Sequence, residues 1–158
     1  MRKEILQDFF EKYIKGTSEK AIVVDCKILL CCLTNAVCLG IGIDKTLGKV
    51  YVTSRALKHL FDKKPAEEFF FLIDNLRKIV KYPDKIYNNK VSKRGAYCLV
   101  KRIGGLDYLC SIEIVGASPD KDLVIEEIQV ATAFRLRDSD YIKKYTLLWS
   151  WEDGIPPS

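Results

Sequence analysis

Histidine is almost missing from this chain: His59 stands alone among 158 residues. That excludes any proton relay between two imidazoles. With no carboxylate–histidine motif beside it, it also argues against a zinc or two-metal hydrolase. The phosphate-cradling pattern G-x-x-x-x-G-K-[ST], the dinucleotide turn G-x-G-x-x-G and the nucleophile elbow G-x-S-x-G do not occur. A membrane span is lacking as well, since the apolar run from Ile28 to Ile43 is interrupted by Thr34, Asn35, Gly40 and Gly42. Met1 to Lys15 alternates charged and apolar residues and has no apolar secretion core. None of the six cysteines forms a C-x-x-C pair, so they read as buried packing thiols and not as metal ligands. These absences predict a soluble, cytoplasmic protein that works without cofactor, metal or membrane.

What is present describes a folded chain. Apolar residues make up 48% of it, enough for a single globular domain over residues 1–158. The net charge of +5 suits an anionic partner without requiring one. Arg2 to Ile14 carries Ile5, Leu6, Phe9, Phe10, Tyr13 and Ile14 at helical spacing. Ala21 to Val24 and Lys27 to Leu33 read as strands, and Val37 to Ile43 as a turn or loop. The stretch Lys49 to Lys64 organises the rest. Val50 and Val52 form a strand, Thr53 or Ser54 caps a helix, and Leu57, Leu60 and Phe61 make its apolar face. His59 lies beside that face, either as a packed border residue or as a titratable group at the edge of a cleft. Pro65 to Lys81 is a second helix, with Glu67 and Glu68 at its start and Arg77, Lys78 and Lys81 at its end. Pro83 to Arg94 reads as a solvated loop, whose Lys93 and Arg94 could hold phosphates.

A hairpin follows. Ala96 to Ile103 and Leu106 to Val115 flank Gly104-Gly105, a two-residue turn that sets the register. Ile103 then faces Leu106, Lys101 faces Tyr108, Leu99 faces Cys110 and Tyr97 faces Ile112, all on one side. Lys101 on that apolar side must either snorkel outward or look into a cleft. Arg102 pairs with Asp107 on the other side. After a loop at Gly116 to Asp122, Val124 to Leu136 is a third strand, with Ile128, Val130, Thr132, Phe134 and Leu136 on one face. Thr132 is its polar interruption. Asp138 caps a short helical turn through Tyr141 to Tyr145, the apolar Leu147 to Trp151 docks the C-terminal end, and Gly154 to Ser158 is a tail.

Histidine, lysine, arginine, threonine and tyrosine over a sheet suit RNA cleavage by the RNA's own 2′-hydroxyl, which needs a base, an acid and donors to the developing phosphorane charge. The segments VYVTSRALKHLF, PDKIYNNK and IQVATAFRLRDSDYIKKY, in that order about the hairpin, resemble the phage-associated nucleases of the barnase–EndoU–colicin–RelE superfamily. The resemblance spans about Lys49 to Leu148 and leaves residues 1–48 as an N-terminal extension. It implies an α+β fold of barnase or RelE type, with N-terminal helices packed on a twisted antiparallel sheet of about four strands. It implies a metal-independent endoribonuclease of toxin or phage type, with RNA, tRNA among its candidates, as substrate and a cognate inhibitor protein as partner. On it, His59, Thr132, Arg135 and Tyr141 are the catalytic candidates. Lys93, Arg94 and Lys101, from the residue pattern, are the phosphate-binding ones. Phe61-Asp62-Lys63-Lys64 stands where some members carry a second histidine. A non-catalytic RNA- or protein-binding module on the same scaffold is the alternative.

Overall fold

The computed structural model describes residues 5–89, 97–115, 127–138 and 140–151. Lys93, Arg94, the 116–122 loop and the 154–158 tail lie outside the described residues. In chain order the elements are α1 (Ile5–Tyr13), β1 (Lys27–Cys32), α2 (Asn35–Ile41), β2 (Lys49–Thr53), α3 (Ser54–Lys63), α4 (Ala66–Lys81), β3 (Lys85–Asn88), β4 (Tyr97–Ile103), β5 (Leu106–Val115), β6 (Glu127–Arg135), α5 (Asp140–Lys143) and β7 (Thr146–Ser150). No helix among the described residues is long and apolar enough to cross a membrane.

The α+β class stands, but the sheet expected from the sequence is too small and of the wrong kind. Seven strands run in the order β1-β2-β6-β5-β4-β3-β7. The sheet is mixed, because β2 and β6 pair parallel while the other neighbours are antiparallel. Three readings account for the difference. The PDKIYNNK stretch is not a loop: Ile86 and Tyr87 are buried, and β3 pairs β4 on one side and β7 on the other. Leu147 to Trp151 does not merely dock but supplies β7 at the sheet's edge. Residues 5–48 bring β1 to the opposite edge and α1 to the core, where Phe10 meets Phe69 of α4 edge-on at 5.1 Å.

The hairpin register follows the turn. Gly104 and Gly105 have φ of 59° and 81°, the left-handed pair of a tight primed turn, and the strands pair from Ile103–Leu106 to Tyr97–Ile112. One face of the sheet carries Leu99, Tyr108, Cys110, Ile112, Val130, Val50 and Val52, packed under α1 and α4. The other face is only partly covered. Tyr87, Cys98, Val100 and Leu109 form a smaller cluster beneath Phe134, Leu136, Ile142 and Tyr145. α5 is started by Asp138, whose carboxylate accepts the Asp140 N–H at 2.9 Å.

Simple alternation fails on β6. Ser111 pairs with Thr132 but Ile112 pairs with Val130, so Ala131 is an extra, bulged residue. Ile128 and Val130 therefore join the helix-covered core, while Thr132 and Phe134 turn to the other face with Ser111 and Leu109.

Two further expectations are overturned locally. Val37 to Ile43 is mostly helix: Thr34 caps α2 by accepting the Val37 N–H at 3.3 Å, and Gly42 closes it at φ 88°. Ala21 to Val24 is not a strand. The segment is pinned by Ser54, fully buried at the start of α3, whose hydroxyl accepts the Cys26 N–H at 3.0 Å and donates to the Val24 carbonyl.

Candidate functional site

The parallel pairing of β2 with β6 covers only Val50–Ile128 and Tyr51–Gln129. There β2 stops, and α3 continues beside the rest of β6. Thr53 makes the switch from strand to helix, its hydroxyl accepting the Ala56 N–H at 3.1 Å. The space left between α3 and the partly open face of the sheet is a cleft of about 740 Å³.

Three walls carry its polar groups. From α3 come Arg55 and His59, one helical turn apart and so on one side of the helix. Both are exposed, and neither is hydrogen-bonded or ion-paired among the described residues. From the sheet come Thr132, turned inward by the bulge at Ala131, and Gln129. From the segment held by Ser54 comes the exposed carboxylate of Asp25. The cleft lining thus carries one imidazole, one guanidinium, one carboxylate, one amide and the hydroxyls of Thr53, Ser111 and Thr132.

The orientation of Gln129 is forced. Its amide N–H donates to Glu127 at 2.8 Å, and a carboxylate can only accept. Glu127 in turn pairs with Lys27, whose ammonium lies 4.8 Å from the Tyr51 ring centre. The hydrogen bond from Gln129, with that from Lys27, holds the Glu127 carboxyl below its ordinary range.

Behind the cleft, α3 is clamped to the segment that follows α1. Lys58 is buried; its ammonium donates to the Ser18 carbonyl and to Asp62, both at 2.7 Å. Burial pushes the Asp62 carboxyl up. The hydrogen bonds from Lys58 and the Lys20 N–H, with the charges of Lys58 and His59, outweigh it and hold Asp62 below the ordinary value.

The residues singled out in the sequence are divided by the fold. His59 and Thr132 line the cleft together. Arg135 pairs with Tyr108 and so shares the helix-covered face; its N–H donates to Glu68 at 3.2 Å. Lys101 snorkels on that same face, donating to the Tyr82 carbonyl at 2.8 Å with Asp84 at 3.8 Å. Tyr141 lies on the cleft's side of the sheet but in the aromatic cluster, 5.3 Å edge-on from Phe134 and 5.6 Å from Tyr145. Burial, and then a hydrogen bond to Tyr141, raise the Tyr145 hydroxyl above its ordinary pKa. Sequence reading missed Arg55, Asp25 and Gln129. Arg55 was findable, since it lies four residues before His59 on a helix already recognised; Asp25 and Gln129 reach the cleft through long-range contacts with no local signal.

Burial pushes the Cys31 and Cys98 thiols up to about 11 and raises Cys110 further, which fits packing groups. Among the described residues no three His, Cys, Asp or Glu side chains converge as a metal site. Compared with family models, with curated proteins and with solved structures, the chain matches none.

Proposed function

We propose that the cleft beside α3 cleaves RNA by attack of the 2′-hydroxyl on the adjacent phosphodiester. The observation that supports this most is the company His59 keeps: Arg55 on the same helical face and Asp25 and Thr132 across one cleft. The reaction requires two proton exchanges and stabilisation of a doubly charged phosphorane, and these groups can supply both. Asp25 takes the proton from the 2′-oxygen as that oxygen bonds to phosphorus. The P–O5′ bond breaks, and the departing 5′-oxygen takes a proton from the His59 imidazolium. Arg55 holds two phosphate oxygens with its planar fork, and the Thr132 hydroxyl donates to the developing charge. The products are a 2′,3′-cyclic phosphate and a 5′-hydroxyl. Arg135 and Lys101, engaged on the other face, take no part.

The test is cleavage of a structured RNA with and without EDTA by wild type, His59→Ala and Arg55→Ala. The reading expects EDTA-resistant cleavage that falls by roughly two to four orders of magnitude in His59→Ala. RNA bound without cleavage, with an affinity that drops in Arg55→Ala, would assign the cleft to binding instead.

A further inference from the structure

Both tryptophans of the chain line one groove, far from the cleft and on the other side of the sheet. Trp149 and Trp151 share about 390 Å³ with Tyr82, Pro83 and Lys101, at the end of α4 and the edge of β7. Lys101 lies on the helix-covered face, so this groove is independent of the proposed catalytic cleft. A second groove of about 320 Å³ runs on along the last turns of α4, lined by Asp74, Arg77, Lys78, Lys81 and Tyr82. The two share Lys81 and Tyr82.

Two features set this region apart from ordinary surface. The first is aromatic exposure. Tyr82 is 57% exposed and Trp151 60%, although both rings are large and apolar. Their backbones are fixed. The Tyr82 carbonyl accepts from Lys101 at 2.8 Å and its N–H donates to the Lys78 carbonyl at 2.9 Å. The Trp151 N–H donates to the Asp84 carbonyl at 2.9 Å, while the Asp84 carboxylate accepts the Arg102 N–H at 2.7 Å. The rings therefore stand on a frame already ordered, so little entropy is lost when they are covered. The second feature is charge. Across both grooves Arg77, Lys78, Lys81 and Lys101 face Asp74 and Asp84, four cations against two carboxylates. Asp84 is already held by Lys101 and Arg102. Arg77 and Lys78 are exposed, and Lys81 lies 5.9 Å from the Tyr82 ring centre.

We propose that this double groove binds single-stranded nucleic acid, with unpaired bases stacked on Tyr82 and Trp151 and phosphates running along Arg77, Lys78 and Lys81. Exposed aromatic platforms beside a cationic track are what sequence-tolerant single-strand binding requires. A duplex would not serve, because its bases are already stacked on one another. The excess of cations favours a polyanion over an apolar peptide.

The groove carries its own reporter, because the chain's tryptophans are both in it. A thymidine dodecamer, which lacks the 2′-hydroxyl and cannot be cleaved by the proposed route, is titrated against intrinsic fluorescence. The expected result is saturable quenching that weakens as salt rises, with no quenching by a duplex of the same length. A labelled dodecamer followed by anisotropy then compares variants. Trp151→Ala and Tyr82→Ala, both at exposed positions, should each weaken binding roughly 5- to 100-fold. Lys78→Gln with Lys81→Gln should weaken it and flatten the salt dependence, with cooperative thermal unfolding retained in every variant. No quenching would overturn the proposal, as would equal affinities in the aromatic variants. Salt-insensitive quenching reproduced by an aromatic peptide would make the groove a protein-docking site. None of these outcomes depends on whether RNA is cleaved in the cleft.

Discussion

Replacing Lys58 by methionine should destabilise the fold far more than losing one surface charge would. The Lys58 and Asp62 side chains are only 7% and 12% exposed, and the ammonium makes two bonds of 2.7 Å. Without it Asp62 keeps one hydrogen bond, from the Lys20 N–H at 3.1 Å, and stays largely desolvated. Removing one partner of a fully buried pair costs about 3–5 kcal/mol. The residual exposure of both groups lowers the expectation to about 2–3 kcal/mol, against a total stability of about 5–15 kcal/mol for a domain. Urea unfolding measures it, and the double variant Lys58→Met/Asp62→Leu isolates the pair. Removing both charges should recover at least about 1 kcal/mol relative to the sum of the single changes. The pH dependence has a definite sign. The folded Asp62 carboxyl lies below its ordinary value of 3.8, so its contribution is complete above that pH and is lost as the pH falls through the folded value. The gap between wild type and Asp62→Asn should therefore be full at neutral pH and shrink below 3.8. A loss under about 0.5 kcal/mol for Lys58→Met, or strict additivity in the double variant, would refute this account of the clamp.

Three other outcomes follow from the packing. Gly40→Ala should cost about 1–3 kcal/mol in a urea melt, because the added methyl would lie 3.0 Å from Trp149 Cβ and 3.3 Å from Ile86 Cδ1 in a filled interior. With iodoacetamide at pH 8, exposed Cys32 should label first and half-buried Cys26 next, while Cys31, Cys38, Cys98 and Cys110 should label only on unfolding, as read by peptide mass. Burial raises the Glu68 carboxyl, but the Arg137 side chain and Arg135 N–H outweigh it and hold it below its ordinary 4.5. Acid titration of Glu68→Gln should therefore show a deficit that is full above pH 4.5 and fades as the pH falls through the folded value.

What could be read from the sequence was what local rules determine. A Gly-Gly turn of two residues leaves one register, so every hairpin pair was legible, Arg102–Asp107 included at 3.0 Å. α3 and α4 were legible from apolar period, cap and proline. β3 was hidden because Ile86 and Tyr87 sit among lysines and asparagines, and only their neighbours β4 and β7 make that segment a strand. α2 was hidden by Gly40, whose lack of a side chain is explained by Trp149 packing against it. The cleft was half legible. His59 stood out by its rarity, yet the face on which Thr132 lies depends on a bulge at Ala131 that alternation cannot reveal. Arg135 was grouped with Thr132 by the resemblance alone, yet residues three apart on one strand point to opposite faces, and Arg135 indeed pairs with Tyr108 on the helix-covered side.

The proposed cleavage in the cleft depends on the substrate's own 2′-hydroxyl. A short RNA with a single mapped cleavage site, remade with one 2′-deoxy sugar on the 5′ side of that bond, tests it directly by mass spectrometry. The all-RNA strand should yield a 2′,3′-cyclic phosphate and a 5′-hydroxyl, and the single deoxy substitution should abolish the cut. Cleavage that survives the substitution, or a 5′-phosphate on the downstream fragment, would contradict the proposed route.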